Sequence, residues 1–102
     1  MERKVGRYRL SPLAELDLEN IWDYTVATWS VQQAERYHTD IMDAVEALAK
    51  GAKVGRDASD IRAGYTKYAV GRHFLFYVLS DDGLDVIRVL HQQMDVERHF
   101  EG

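Results

Sequence analysis

The hydrophobic rhythm of this chain changes once, near its midpoint, and that change limits the folds open to it. Between residues 12 and 50 apolar residues recur every three or four positions, the period of a helix with one buried face. From residue 64 to residue 91 the chain is instead rich in β-branched and aromatic residues in short runs, the texture of strands. Helices grouped first and strands grouped afterwards point to an α+β architecture.

Local signals place the element ends. Ser11-Pro12 is a helix start, with serine as the N-cap and proline where its missing N–H costs nothing. The first helix runs from Pro12 to about Thr28. Ala14, Leu18, Ile21 and Thr25 form its inward stripe, flanked by Leu13, Trp22 and Trp29. Ser30 caps a second helix, with Gln33 at capping-box spacing. Its stripe is Ala34, Tyr37, Ile41, Val45 and Leu48, and Gly51 stops it. The two make an αα-hairpin.

Val5–Leu10 reads as an opening strand and Ala52–Asp60 as a loop. Gly64–Val70, Arg72–Ser80 and Leu84–His91 read as three later strands. Asp81-Asp82-Gly83 joins the last two as a hairpin. Gly71 alone separates the first two, too briefly for a standard hairpin loop, so a tight turn or bulge is expected. Asp95–Phe100 is expected to form a short C-terminal helical turn. The order is β-αα-βββ in one domain spanning residues 1–102, with the helical hairpin packed on a small antiparallel sheet. The position of the first strand in that sheet is open.

Composition narrows the function. There is no cysteine, hence no disulfide scaffold and no thiol nucleophile. No apolar run is long enough for a membrane span or signal-peptide core, so a cytoplasmic protein without membrane contact is expected. Net charge is −4, against a dedicated nucleic-acid binder. The charge is unevenly spread: residues 1–10 carry +3, residues 11–49 carry −7, residues 50–72 carry +4 and residues 73–102 carry −4. Acidic helices beside a basic loop and strand can orient a charged partner.

Several stretches together resemble one family. Ser11-Pro12 followed by Asp17-Leu18, Ile21, Trp22 and Tyr24 looks like the first helix of ParE-type toxins in the RelE/ParE superfamily. Ile61-Arg62 with Gly64, then Val70-Gly71-Arg72-His73-Phe74-Leu75-Phe76-Tyr77, resembles that family's central strands. Arg88-Val89-Leu90-His91, Met94-Asp95 and Arg98-His99 resemble its closing segment. Order and spacing carry the resemblance, which covers nearly the whole chain. It implies the RelE-like fold and a type II toxin–antitoxin system. It further implies a ParD-like antitoxin with a DNA-binding dimer module, whose flexible tail wraps the toxin in a complex of 2:2 or larger. The implied target is DNA gyrase, held with cleaved DNA, and DNA is contacted only through the antitoxin.

Relatives of the RelE branch cut mRNA on the ribosome, and that chemistry makes demands. A base must take the 2′ proton, cations must stabilise the phosphorane, and an acid must protonate the leaving oxygen. The branch's His-Arg-aliphatic-Val-Tyr strand is matched here by His73-Phe74-Leu75-Phe76-Tyr77, and Phe74 can carry no charge. Gln92-Gln93-Met94 stands where a Gly-His-Tyr type ending is expected. A non-enzymatic, binding toxin with no catalytic residues is therefore the expectation. A ribosome-dependent endonuclease and a non-toxic co-repressor are the alternatives.

No cofactor is expected. His38, His73, His91 and His99 fit no zinc spacing, and no phosphate-binding Gly-rich loop is present. The expected antitoxin contacts are Trp22, Trp29, Tyr37, Arg72 and Arg88, with Arg72 open to the target as well. Met94, Asp95, Arg98 and His99 are the expected target contacts. Strand alternation puts Arg88 with Val86 and Leu90 on one face and His91 with Ile87 and Val89 on the other, against an Arg–His pair. A carboxylate such as Asp95 or Glu97 is the expected partner of Arg88.

Overall fold

The computed structural model describes residues 6–93 and Phe100. It contains β1 (Tyr8–Leu10), α1 (Pro12–Thr28), α2 (Val31–Lys50), β2 (Arg56–Asp57), β3 (Thr66–Val70), β4 (His73–Ser80) and β5 (Gly83–His91). The β-αα-βββ order is present, with the short strand β2 added inside the expected loop. The expected helical turn at Asp95–Phe100 lies outside the described residues apart from Phe100.

Both helices begin as their caps require. Ser11 Oγ accepts from the Ala14 N–H at 3.0 Å and Ser30 Oγ from the Gln33 N–H at 3.0 Å. Gly51 ends α2 in the left-handed conformation, φ 79°, which glycine adopts without a Cβ clash. The inward stripes pack as their spacing demands. Ala14 and Leu18 of α1 meet Ile41, Val45 and Leu48 of α2 and Leu75, Tyr77, Leu84, Val86 and Val89 of the sheet.

The five strands lie in the order β1-β5-β4-β3-β2. The sheet is mixed, not antiparallel: β1 runs parallel to β5, with Tyr8 opposite Leu84 and Leu10 opposite Val86. A parallel neighbour needs a long connection, and the helical hairpin with the later strands supplies it. The other three pairings are antiparallel. Val70 pairs with His73, so Gly71-Arg72 is a standard two-residue hairpin loop. Gly71 alone takes positive φ, 54°, as at the first central position of a type II′ turn.

The outer face of the sheet is covered too. Phe76 and Leu90 are buried there with Ala58, and Ile61, Tyr65, Phe74 and Phe100 pack around them. Gly55 admits the close approach of its segment to the sheet. A Cβ there would lie 2.5 Å from the Lys67 carbonyl oxygen and 2.6 Å from Tyr77 Oη, which accepts from the Gly55 N–H at 2.9 Å.

A bulge in β5 changes which residues share a face. Phe76 pairs with Arg88, but Tyr77 pairs with Val86, leaving Ile87 without an opposite. Val86 and Val89 therefore both enter the helix-side core, which strict alternation forbids. Ser11 fixes the strand here, with its N–H donating to Val86 O at 2.9 Å and its Oγ donating to Ile87 O at 2.6 Å.

β1 ends at Leu10, so the edge of β5 beyond Val86 has no strand beside it. Asp17 of α1 fills that place. Its Oδ2 accepts from the Val89 N–H at 2.9 Å and from Arg88 Nε at 2.8 Å, while Oδ1 accepts from Arg88 Nη2 at 2.9 Å. This corrects the expectation of Asp95 or Glu97 as partner. The bulge and open edge bring Arg88 to α1, which sequence distance along the strand cannot reveal. The two side chains are only 14% and 11% exposed, so the pair is shielded from screening.

Arg88→Ala should cost about 3 kcal/mol, because it strands a shielded carboxylate. Asp17→Ala should cost at least as much, since it also strips the Val89 N–H. Asp17→Leu combined with Arg88→Met removes both charges and should cost less than either single change. Urea unfolding of the four proteins checks this. Single-variant losses under about 1 kcal/mol would contradict a central role for the pair.

Candidate binding cleft

Between the C-terminal half of α1, the start of α2 and the β3–β4 turn lies an open cleft of about 770 Å³. One wall is α1, through Asp17, Ile21, Tyr24 and Thr28. Trp29 and Gln33 close one end at the junction of the helices, and Gly71 and Arg72 form the opposite rim. Tyr37, His73, Val89 and His91 make the floor. Tyr24 and Trp29 are 69% and 71% exposed. Large aromatic surfaces left in water beside a concavity mark an interaction site.

Tyr37 ties α2 to the hairpin turn. Its Oη lies 2.9 Å from Val70 O, 3.2 Å from the Arg72 N–H and 2.6 Å from His73 Nδ1. A phenol has one proton, and only a donor satisfies the Val70 carbonyl. The Arg72 N–H and His73 Nδ1–H then both donate to Tyr37 Oη. That leaves Nε2 of His73 as the acceptor nitrogen. Burial raises the Tyr37 pKa, and the surrounding backbone N–H groups oppose the rise. A Cβ on Gly71 would come within 2.6 Å of the Tyr37 ring. Turn and tyrosine are thus fitted to each other.

His73 and His91 stand opposite each other across β4 and β5, with ring centroids 5.2 Å apart, edge to face. Burial, and then the neighbouring His91, lower the His73 pKa from 6.5 to about 4, against a smaller opposing pull from Asp17. His91 Nδ1 accepts from the Gln93 N–H at 3.1 Å. The floor is therefore held with His73 neutral at physiological pH.

Of the residues expected to bind a partner, Trp29, Tyr37 and Arg72 line the cleft. Trp22 does not. It is half-buried beside the crevice between the helices, edge-on to His38 at 6.2 Å. Arg88 is engaged by Asp17, whose carboxylate borders the cleft. Met94, Asp95, Arg98 and His99 lie outside the described residues. Sequence reasoning missed Tyr24, Asp17, His73 and His91 as cleft residues. A signal for the first two existed: Asp17, Ile21, Tyr24 and Thr28 form a second stripe at helical spacing beside the core stripe. Phe74 faces away from the cleft, against Phe76 at 6.0 Å between centroids.

The model of the ParE toxin of the type II toxin–antitoxin system, parDE, matches residues 8–96. The chain belongs to the ParE toxin family. Toxin ParE1 of Mycobacterium tuberculosis is 47% identical over 96 residues, covering 93% of this chain and 98% of that protein. Toxin ParE1 of Caulobacter vibrioides is 38% identical over 93 residues, covering 91% and 96%. In three dimensions a chain of the chromosomal ParDE toxin–antitoxin system from P. aeruginosa superposes with a TM-score of 0.73. It covers 85% of this chain and 96% of its own length at 16% identity, so it supports the fold. As a ParE family member the protein is the toxin component of a type II toxin–antitoxin system, and an antitoxin is its partner. No helix among the described residues is long and apolar enough to cross a membrane.

The low His73 pKa makes a test of the cleft floor. Between about 4 and 6.5 the unfolded chain binds the proton that the folded chain refuses, so stability falls as pH drops through that window. The expected loss is of order 2 kcal/mol, discounted because the ring is partly exposed. Thermal unfolding at several pH values should show the slope in the wild type and a flatter one in His73→Gln. Parallel slopes would mean that His73 is not the group responsible.

Proposed function

We propose that this cleft receives the C-terminal segment of a ParD-like antitoxin, and that the free toxin inhibits DNA gyrase in the cytoplasm by holding it with cleaved DNA. The observation that carries the first part is the exposed pair Tyr24 and Trp29 bordering the cleft. Aromatic anchors of this kind dominate interface energetics when a partner desolvates them. An apolar antitoxin side chain seated against Tyr24 and Ile21 would bury both. Basic antitoxin residues suit the helical segment 11–49, which carries −7. The antitoxin's DNA-binding dimer module brings two toxins together, for a complex of 2:2 or larger, and supplies the only DNA contact of that complex.

Gyrase inhibition is a binding activity and needs no catalytic residue in the toxin. A ligand shifts its target only by binding one state better than another, so the toxin must favour gyrase that holds cut DNA. Phe74, in the place where the ribonuclease branch has a cation, supports a binding toxin over an endonuclease. The segment Met94–Phe100, with Met94, Asp95, Arg98 and His99, is assigned to the target, and so is Arg72.

The deciding assay mixes toxin, gyrase, supercoiled plasmid and ATP and scores trapped double-strand breaks, with antitoxin added as control. Breaks that antitoxin abolishes are the expected result. None at large excess of folded toxin would remove gyrase as the target. For the cleft, Trp29→Ala should weaken antitoxin binding by about 2 kcal/mol, roughly 30-fold, while leaving thermal stability nearly unchanged. Unchanged affinity would place the antitoxin elsewhere.

A further inference from the structure

At the far edge of the sheet from β1, two cations face each other. Arg56 of β2 lies directly opposite Lys67 of β3. Like charges in that position destabilise an antiparallel pair. Among the described residues the ion pairs are Arg9–Asp85 and Arg88–Asp17, and neither relieves this edge. The adjacent carboxylate, Asp57, accepts instead from Ser59 Oγ at 2.6 Å. Lys67 lies opposite Phe76 on the outer face, and its Nζ stands 4.8 Å over the Phe74 ring. Arg56 is exposed. Both belong to the stretch 50–72, which carries +4 in a chain of net −4. A fold that keeps two cations side by side, neither in an ion pair among the described residues, maintains a local positive potential.

We propose that this edge contacts the phosphodiester backbone of the DNA held by the toxin's target. The proposal rests on the gyrase reading above and adds a source for its selectivity. A toxin that touched only protein would have to sense a change in gyrase itself. One that also touches phosphate gains contacts that depend on where the DNA lies, and these differ between resting and cleaved complexes. Two cations on an acidic chain give little affinity for free DNA, so the contact acts only once the toxin is docked. This is a different role from the DNA contact of the antitoxin complex.

Arg56→Glu is the informative variant. It turns the like-charge pair into an opposite-charge pair with Lys67, so it should melt no lower than wild type and bind antitoxin unchanged. In the plasmid cleavage assay it should need more toxin for half-maximal trapping, and its potency should depend less on salt. Each phosphate contact on duplex DNA adds about 0.9 to the slope of log affinity against log salt. With both contacts gone, wild type should lose roughly tenfold more potency than the variant over a fourfold rise in salt. Arg56→Gln with Lys67→Gln should behave like Arg56→Glu, and Arg56→Lys like wild type. Wild-type potency and salt slope in Arg56→Glu would overturn the proposal and leave the cations as guards against edge-to-edge strand pairing. Reduced potency with an unchanged salt slope would also overturn it, pointing to a protein contact. Failure of the wild type to trap breaks defeats the gyrase reading and this proposal together, and is seen before any variant is made.

Discussion

The carboxylate of Asp17 joins everything that matters in this fold. It receives both ends of the Arg88 fork and the Val89 N–H, and so does the work that a neighbouring strand does elsewhere along β5. Without it the middle of α1 would rest on β5 through apolar contacts, which are non-directional and permit sliding. With it, α1 is set at one height and one rotation over β5. The cleft follows from that setting, because its wall is α1 and its floor includes Val89 and His91.

A second tie works from the other side. Tyr37 projects from α2 into the Gly71-Arg72 turn and saturates its hydroxyl on Val70, Arg72 and His73. The two helices are thus each held to the sheet by one polar anchor, Asp17 on α1 and Tyr37 on α2. The cleft opens between the anchors. Its aromatic wall stays exposed because the anchors, and not burial of Tyr24 and Trp29, fix the distance between helix and turn. A preformed concavity with exposed aromatic residues spends little ordering entropy on receiving a partner segment.

Charge divides the molecule along the same lines. The helices are acidic, whereas the segment carrying β2 and β3 is basic. The helical side and the β2–β3 edge therefore present opposite potentials to partners. One small domain can in this way meet a basic peptide segment and a polyanion without the two competing for the same surface.

Much of the fold was legible from local chemistry. The caps Ser11 and Ser30, the stop at Gly51, the inward stripes and the Asp81-Asp82 hairpin all depend on interactions within a few residues, and they stand where the sequence puts them. The family resemblance was legible as well, because it lies in the order of short motifs. The cleft was legible only in part. Trp29, Tyr37 and Arg72 belong to it, while Trp22 turned to the crevice beside His38. Helical spacing says which residues share a face, but not which neighbour that face meets.

What the tertiary structure alone decided concerns contacts distant in sequence. The parallel pairing of β1 with β5 depends on where the chain returns after some seventy residues. The partner of Arg88 is 71 residues away, and it became reachable only through a bulge that broke the two-residue alternation and an edge that β1 left open. The sequence by itself determined the elements, their order and their buried faces, because propensity, capping and periodicity act locally. The mixed sheet, the Asp17 anchor and the cleft were decided by packing, because register and edge occupancy are properties of elements meeting and have no local signature.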